Sequence, residues 1–122
     1  LYTSILPNFL VEGMSDAVRK SRASKILVCN VATQHGETEH FQAVDHLLEF
    51  ERHSKVTPTH FLVNKRIRLI PDDANQTPIE PISVVEGRDI LVVAGDIGDD
   101  YYVTHHHQNK LAELVLKIIG NR

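Results

Sequence analysis

Three short apolar runs, separated by longer amphipathic stretches, dominate the hydrophobic pattern of this chain. Each run is rich in aliphatic residues and is followed by a polar residue or a glycine, as is typical of buried strands. We predict strands over residues 26–30, 60–64 and 90–94. The near-continuous apolar character of the first run predicts burial on both faces, as in a parallel sheet.

Between these runs, apolar residues recur at the three- and four-residue spacing of amphipathic helices. One stripe comprises Phe41, Val44, Leu47 and Leu48 and predicts a helix that ends near His53. Another comprises Leu111, Leu114, Val115, Ile118 and Ile119 and predicts a helix over residues 107–119. A shorter helix is expected to begin at Ser15.

The remaining stretches carry weaker signals. A helical turn is expected within residues 1–10, where Thr3 and Ser4 are candidate N-caps and Pro7 fits the first turn. Residues 67–81 hold three of the five prolines and are predicted to form a long connection with little structure of its own. Short extended pieces are expected at residues 82–85 and 101–103.

The composition is that of one ordinary globular domain. The 122 residues are 42% hydrophobic and 24% charged, and no apolar run approaches the length of a bilayer span. A formal net charge of −3 provides no basic surface, which argues against nucleic acid as a partner. Cys29, the single cysteine, is interpreted as a core residue; no internal disulfide can form, and the chain fits a reducing cytoplasm. The order of elements predicts a single α/β unit over residues 1–122.

The polar loop after the first predicted strand is the strongest candidate for ligand contact. Residues 30–38 are dense in hydrogen-bond donors and acceptors and lie between a strand and a helix. In open α/β sheets, ligands bind just beyond the carboxyl ends of the strands. The first two predicted strands end in Asn30 and Asn64, which either meet a ligand, tie that edge together, or only turn the chain through their own backbone.

Two further clusters have both a chemical and a structural interpretation. The hydroxyls of Thr3 and Ser4 either hold a phosphate or carboxylate, or only cap a helix. The run from His105 to His107 is a polar loop, a ligand contact or a metal site, and the divergent directions of consecutive side chains argue against the metal. No Gly-rich phosphate loop, GxSxG or HExxH motif occurs, so the chain holds no self-contained catalytic apparatus.

Several segments together resemble one family. They are LYTSILPNFLV at residues 1–11, ILVCNVATQHGETEHF at 26–41 followed by Asp45-His46, FLVN at 61–64, and His106 with Lys110-Leu111-Ala112. Their order and spacing are similar to the C-terminal part of the CofD-like proteins, and more narrowly to the YvcK branch. The resemblance implies a Rossmann-like three-layer α/β sandwich with a mostly parallel sheet, of which this chain would be a fragment.

The resemblance also implies a ligand at the strand ends, a nucleotide sugar that is UDP-N-acetylglucosamine in the YvcK branch. The residues that match the family's motifs and would line the site are Tyr2, Thr3, Ser4, Asn30, Thr33, Gln34, Gly36, Glu37, Thr38, His105 and His106. Donors such as the Thr3 N–H and the Gly36 loop would face phosphates, and Asn30 or Gln34 would fix a base or sugar edge. No residue is assigned a catalytic or metal-binding role.

The function implied by the resemblance is that of a regulatory binding protein affecting gluconeogenic growth, cell-wall synthesis and cell shape. The alternatives are an enzyme of the 2-phospho-L-lactate transferase type and a degenerate domain retained for packing. No cofactor is expected in this chain, although the full-length protein could hold a divalent metal. The expected setting is a cytoplasmic homo-oligomer that binds a UDP-sugar and has neither membrane nor nucleic acid as a partner.

Overall fold

The computed structural model describes residues 1–120, and within that range the strands form one three-stranded sheet. β1 spans Ile26–Val28, β2 spans His60–Asn64 and β3 spans Leu91–Gly95. The order is β1-β2-β3 and both pairs are parallel. The prediction of an α/β fold with a parallel sheet is therefore confirmed, with β1 ending two residues earlier than predicted.

The helices flank this sheet. α1 spans Met14–Lys20, α2 spans Ala43–Ser54 and α3 spans Gln108–Gly120, with short 3₁₀ helices at Leu6–Leu10 and Asp72–Ala74. The predicted helices are thus confirmed to within about two residues at most of their ends. None of the helices described between residues 1 and 120 is long and apolar enough to span a membrane.

The N-terminal turn begins without the predicted side-chain caps. Ile5 occupies the N-cap position and no side chain caps the first 3₁₀ helix, so the assignment of Thr3 and Ser4 as caps is wrong. The Leu1 carbonyl instead accepts hydrogen bonds from the Ile5 and Leu6 N–H groups at 3.2 and 2.9 Å. The backbone turn itself therefore satisfies these amides, and Pro7 occupies the first turn as predicted.

Burial on both faces belongs to the central strand. Phe61, Leu62 and Val63 of β2 are all buried, because β2 has a neighbour on each side and is covered on each face. In β1 only Leu27 is buried, since this strand lies at the edge of the sheet. The prediction that the first strand is buried on both faces is therefore wrong, and β2 is the strand that is buried on both faces. Cys29 is buried, and burial raises the pKa of its thiol to about 12, as suits a core residue.

Two hydrophobic clusters pack against the sheet. The larger one joins Leu27, Phe61 and Val63 to Ala43, Leu47 and Phe50 of α2. The smaller one centres on Ile97 and includes Val28, Leu111 and Leu114, the last two from α3. Because successive strand residues point to opposite faces, Leu27 and Val28 place these clusters on opposite sides of the sheet. The predicted three-layer arrangement is confirmed.

The buried stripe of α2 differs from the predicted one. Its buried residues are Ala43, His46, Leu47, Phe50 and Ser54, at helical spacing. Leu48 was predicted to face inward but is exposed. The buried face of α2 is centred between His46 and Leu47, in line with Ala43 and Phe50. Because successive helical positions are rotated by about 100°, Leu48 lies nearly opposite that face.

Two weaker predictions are wrong. Residues 82–85 and 101–103 form bends, a turn and irregular backbone rather than strands. The prediction of a long connection with little structure of its own is confirmed for residues 67–81, whose regular structure is the 3₁₀ helix Asp72–Ala74 and a bridge from Pro78 to Ala32, although Ile79 is buried. Apolar composition alone suggested extended structure at 82–85, but no neighbouring strand is available there to complete a ladder.

A group of charged residues lies at the carboxyl ends of β2 and β3. The half-buried Arg68 guanidinium donates hydrogen bonds to Asp96 and Asp100, each at 2.8 Å. The hydrogen bond from Arg68 lowers the pKa of the Asp100 carboxyl. Gly98 lies against this guanidinium, and a Cβ at Gly98 would stand 2.6 Å from Arg68 Nη1. The absence of a side chain at Gly98 therefore permits the Arg68 geometry.

We predict that Gly98→Ala destabilises the protein by up to about 1 kcal/mol, because the new methyl group displaces the Arg68 guanidinium from its partly exposed ion pairs with Asp96 and Asp100. Chemical denaturation of the wild type and the variant measures this difference. In an Arg68→Ala background the same Gly98→Ala change should cost much less, since the clashing atoms are gone. An equal loss in both backgrounds would show that Gly98 acts through something other than Arg68.

His46 is the buried titratable residue of α2. Its Nδ1 lies 2.9 Å from the Gln42 carbonyl oxygen, which can only accept, so Nδ1 carries the proton. Among residues 1–120, its buried Nε2 has no hydrogen-bond partner. Burial lowers the pKa of His46 from its ordinary value of 6.5, although the Gln42 carbonyl opposes the shift. The ring therefore stays neutral in the folded protein at neutral pH.

We predict that the free energy of unfolding falls as the pH drops from about 7 to 5. Below about pH 6.5 the unfolded chain protonates His46 while the folded protein resists protonation, so the unfolded state binds more protons. Denaturant titrations at several pH values measure this slope. His46→Leu should make the slope shallower over the same pH window, and an unchanged slope would contradict the assignment to His46.

Candidate functional site

A polar cleft opens at the carboxyl end of β1. Its volume is ≈ 340 Å³, and it is lined by Asn30, Val31, Ala32, Gln34, Gln76, Thr104, His105 and His106. Four of the residues predicted from the sequence, Asn30, Gln34, His105 and His106, therefore lie around one cavity. They come from two stretches far apart in the chain, and the cleft occupies the position where parallel α/β sheets bind ligands.

The loop after β1 supplies one wall of the cleft. Asn30 Nδ2 donates to Gln34 Oε1 at 3.3 Å, and the backbone nitrogen of Leu1 approaches the same oxygen at 3.3 Å. These contacts identify Oε1 as the acceptor atom of the Gln34 amide. In the described chain Gln34 Nε2 makes no hydrogen bond, so the Gln34 amide retains two N–H donors for a ligand.

The segment between β3 and α3 supplies the facing wall. His106 Nε2 lies 3.0 Å from the Cys29 carbonyl oxygen, at the end of β1. Since a carbonyl only accepts, Nε2 is the donor, and in neutral His106 the Nδ1 atom keeps its lone pair as an acceptor. An antiparallel bridge between Gly98 and His106 holds the segment in place. His106 is thus both a structural contact and a cleft residue.

The third side of the cleft comes from the long connection over residues 67–81, which was predicted to have little structure of its own. Gln76 Nε2 donates to the Thr33 carbonyl at 2.8 Å. Next to it, the Thr77 N–H donates to Thr33 Oγ1 at 3.0 Å, and the Thr33 N–H donates to the Thr77 carbonyl at 2.9 Å. This pairing holds Gln76 at the cleft. Sequence reasoning missed Gln76, and the polar run from Asn75 to Thr77 was the signal that could have identified it.

The N-terminal turn is tied to the same loop, although it does not line the cleft. The Tyr2 N–H donates to Glu37 Oε1 at 2.5 Å, and the Tyr2 hydroxyl donates to Glu49 Oε2 at 2.5 Å. The hydrogen bond to Glu49 raises the pKa of Tyr2 to about 12, and the same bond lowers the pKa of Glu49. Tyr2 and Glu37 therefore bring the N-terminal turn, the loop and α2 together.

The other predicted site residues lie outside the cleft lining. Thr33 and Thr38 are 3% and 0% exposed, and their hydroxyls accept hydrogen bonds from the backbone amides of Thr77 and Gln34. Gly36 is exposed, with a φ of +74° that favours glycine, and its N–H donates to Glu39. Thr3 and Ser4 are exposed on the N-terminal turn. Their contact with a ligand stays a prediction.

The chemistry of the cleft is that of hydrogen bonding. Its polar lining consists of amide, imidazole and hydroxyl groups, which can donate and accept without carrying a fixed charge. Within residues 1–120, no three His, Cys, Asp or Glu side chains are grouped so as to hold a metal ion. Such groups can orient a polar molecule through hydrogen bonds.

Comparison with known proteins agrees with the α/β fold and identifies the family. The profile of the CofD family, described as 2-phospho-L-lactate transferase CofD, matches residues 1–96. This chain therefore belongs to the CofD family. A putative gluconeogenesis factor of Aquifex aeolicus is 37% identical over 99% of this chain, and one of Thermotoga maritima is 36% identical over 97%.

A solved structure supports the same assignment. The crystal structure of a UPF0052 family member from Bacillus halodurans matches 94% of this chain with a TM-score of 0.77 and 31% identity. That match covers 39% of the solved chain, and the Aquifex and Thermotoga matches cover 39% and 41% of those relatives. The present chain thus spans about 39% of the length of the proteins it resembles.

We predict that Thr33→Val destabilises the protein by about 1–3 kcal/mol, because it removes the acceptor of the Thr77 N–H in a buried position. The matched control is Thr77→Val, which removes the other hydroxyl of the pair at an exposed residue and leaves all backbone hydrogen bonds in place. Its effect should be clearly smaller. Denaturant unfolding measures both variants, and equal losses would contradict the role of Thr33 as the backbone anchor.

Proposed function

We propose that this chain forms part of the binding site for a nucleotide sugar, UDP-N-acetylglucosamine, in a regulatory protein. The observation that carries the proposal is the convergence of Asn30, Gln34, His105 and His106 on one polar cleft at the carboxyl end of β1. Hydroxyl and N-acetyl groups of a sugar, and the edge of a uracil, are donors and acceptors that such side chains can match. The gluconeogenesis factors among the relatives support a regulatory function over a catalytic one.

In the proposed role, ligand occupancy links carbon metabolism to cell-wall synthesis and cell shape. The polar side chains that line the cleft are amides, imidazoles and one hydroxyl, and none of them is a carboxylate, which supports binding without turnover. The protein would act in the cytoplasm as a homo-oligomer. In a protein as long as the relatives, the part outside this chain would supply further contacts to the diphosphate.

We predict that the full-length protein binds UDP-N-acetylglucosamine saturably and leaves it unchanged. Isothermal titration calorimetry measures the binding, and mass spectrometry of the ligand after long incubation tests for turnover. Gln34→Ala should weaken binding about tenfold, as expected for the loss of one or two hydrogen bonds in a partly buried site. Glu86→Ala, which truncates an exposed side chain of similar size outside the cleft, is the control and should leave the affinity unchanged.

The outcomes distinguish an error in the site assignment from an error in the proposed ligand. Wild-type affinity in Gln34→Ala would remove the cleft assignment while leaving the ligand in place. No binding by the wild-type protein would remove the nucleotide-sugar proposal itself. A response to neither the nucleotide sugar nor a transferase substrate would favour the third option, a degenerate domain retained for packing.

A second candidate is transfer of a phospholactyl group to a deazaflavin precursor. The description of the matching family, 2-phospho-L-lactate transferase, favours this candidate. The match covers residues 1–96, which include Asn30 and Gln34 but not the wall that carries His105 and His106. A divalent metal, if the reaction needs one, would be held mainly by residues outside this chain. Formation of a phospholactyl-deazaflavin product by the full-length protein, detected by mass spectrometry, would establish this activity.

A further inference from the structure

An exposed group of aromatic rings stands beside the candidate cleft. Tyr101 and Tyr102 are 82% and 63% exposed, although both rings are large and mostly apolar. Their ring centroids lie 4.7 Å apart in an edge-to-face arrangement, and the Tyr102 ring lies 5.9 Å from that of His105, again edge to face. Exposed aromatic groups of this kind often mark a binding surface.

The turn that carries these rings is braced by its own hydrogen bonds. Asp99 Oδ1 accepts from the N–H groups of both Tyr101 and Tyr102, each at 2.8 Å, and these bonds lower the pKa of the Asp99 carboxyl. The His105 N–H donates to the Tyr102 carbonyl at 2.9 Å, and the Asp99 N–H donates to the His105 carbonyl at 3.0 Å. The backbone therefore presents Tyr102 and His105 in a defined relation to each other.

Tyr102 borders a second cleft that adjoins the first. This second cleft has a volume of ≈ 480 Å³, and Tyr102, His105 and His106 contribute to its lining. His105 and His106 also line the cleft that contains Asn30 and Gln34. The two histidines are thus the shared border of the two clefts. One ligand could therefore place a polar group against the amides and an aromatic ring against Tyr102.

We infer that the Tyr102 ring forms a stacking platform for the nucleobase of the ligand, next to the amide-lined cleft, with the His105 ring packed edge to face against it. This inference rests on the proposed nucleotide-sugar function and adds the position of the base to it. A planar base has a π-face that an aromatic side chain can cover, whatever hydrogen bonds its edge makes. The tyrosine hydroxyl is not needed for stacking, so the ring itself is the recognition element.

The test compares ligands with and without a base in the full-length protein. Tyr102→Ala should raise the Kd for UDP-N-acetylglucosamine and for UMP about tenfold or more, as expected for the loss of one base–aromatic stack. Its affinity for N-acetylglucosamine 1-phosphate, which has no base, should not change. Tyr102→Phe should retain wild-type affinity for all three ligands. Leu69→Ala, which removes an apolar side chain that is 95% exposed and borders neither cleft, is the control.

A second measurement reports the contact directly. Saturation-transfer difference NMR should show transfer from tyrosine ring protons to the uracil H5 and H6 protons of UMP in the wild type, and a loss of this transfer in Tyr102→Ala. Binding of UMP by the wild type with an unchanged Kd in Tyr102→Ala would overturn the inference and leave the proposed function standing. Binding of no ligand by the wild type would overturn both. A change in oligomeric state in Tyr102→Ala, with ligand affinity intact, would overturn the inference in favour of a protein contact.

Discussion

Hydrogen bonding of the backbone just beyond β1 is the constraint on which the cleft depends. Residues 29 and 31–33 are buried although the strand ends at Val28, so their backbone N–H and C=O groups need partners away from water. The partners come from three distant parts of the chain: Leu62 in β2, Thr77 and Ile79 in the long connection, and His106 before α3. Satisfying these few groups brings together all the walls of the cleft.

This origin of the cleft explains which polar side chains are available to a ligand. The hydroxyls of Thr33 and Thr38 accept hydrogen bonds from backbone amides, and the Glu37 carboxylate accepts one from the Tyr2 N–H. The side chains left at the cleft are longer amides and imidazoles, which extend past the backbone contacts. The residues of this one sequence motif therefore divide into a group that stabilises the loop and a group that lines the cleft.

The asparagines at the carboxyl ends of β1 and β2 have different surroundings. At β2, Asn64 serves the structure, because its Oδ1 accepts from the Ile97 N–H and its Nδ2 donates to the Arg66 carbonyl. At β1, Asn30 reaches the cleft and bonds to Gln34. The edge strand β1 leaves room beside its end, whereas the end of the central strand β2 is enclosed by its neighbours and by Arg68. The same residue type thus lines the cleft after β1 and braces the backbone at the end of β2.

Much of the fold could be predicted from the sequence because helices and strands leave periodic apolar patterns in it. The strands at β1, β2 and β3 and the helices α2 and α3 were located in this way, and a parallel sheet followed from their order. The failures have a common cause: Leu48 was assigned from helical spacing and residues 82–85 from their own composition, while the environment of both depends on neighbours distant in sequence. Family motifs placed Asn30, Gln34, His105 and His106 at a site, but not Gln76 or Tyr102.

The sequence by itself determined where the elements lie and that a polar loop follows β1, because local spacing and turn-forming residues are sufficient for both. Only the tertiary structure decided which polar groups of that loop remain free. The Thr33 hydroxyl is occupied by Thr77, a residue 44 positions away, and the Cys29 carbonyl by His106, 77 positions away. A side chain's availability depends on whether such a distant partner has already satisfied it, and a linear pattern of residues does not contain that information.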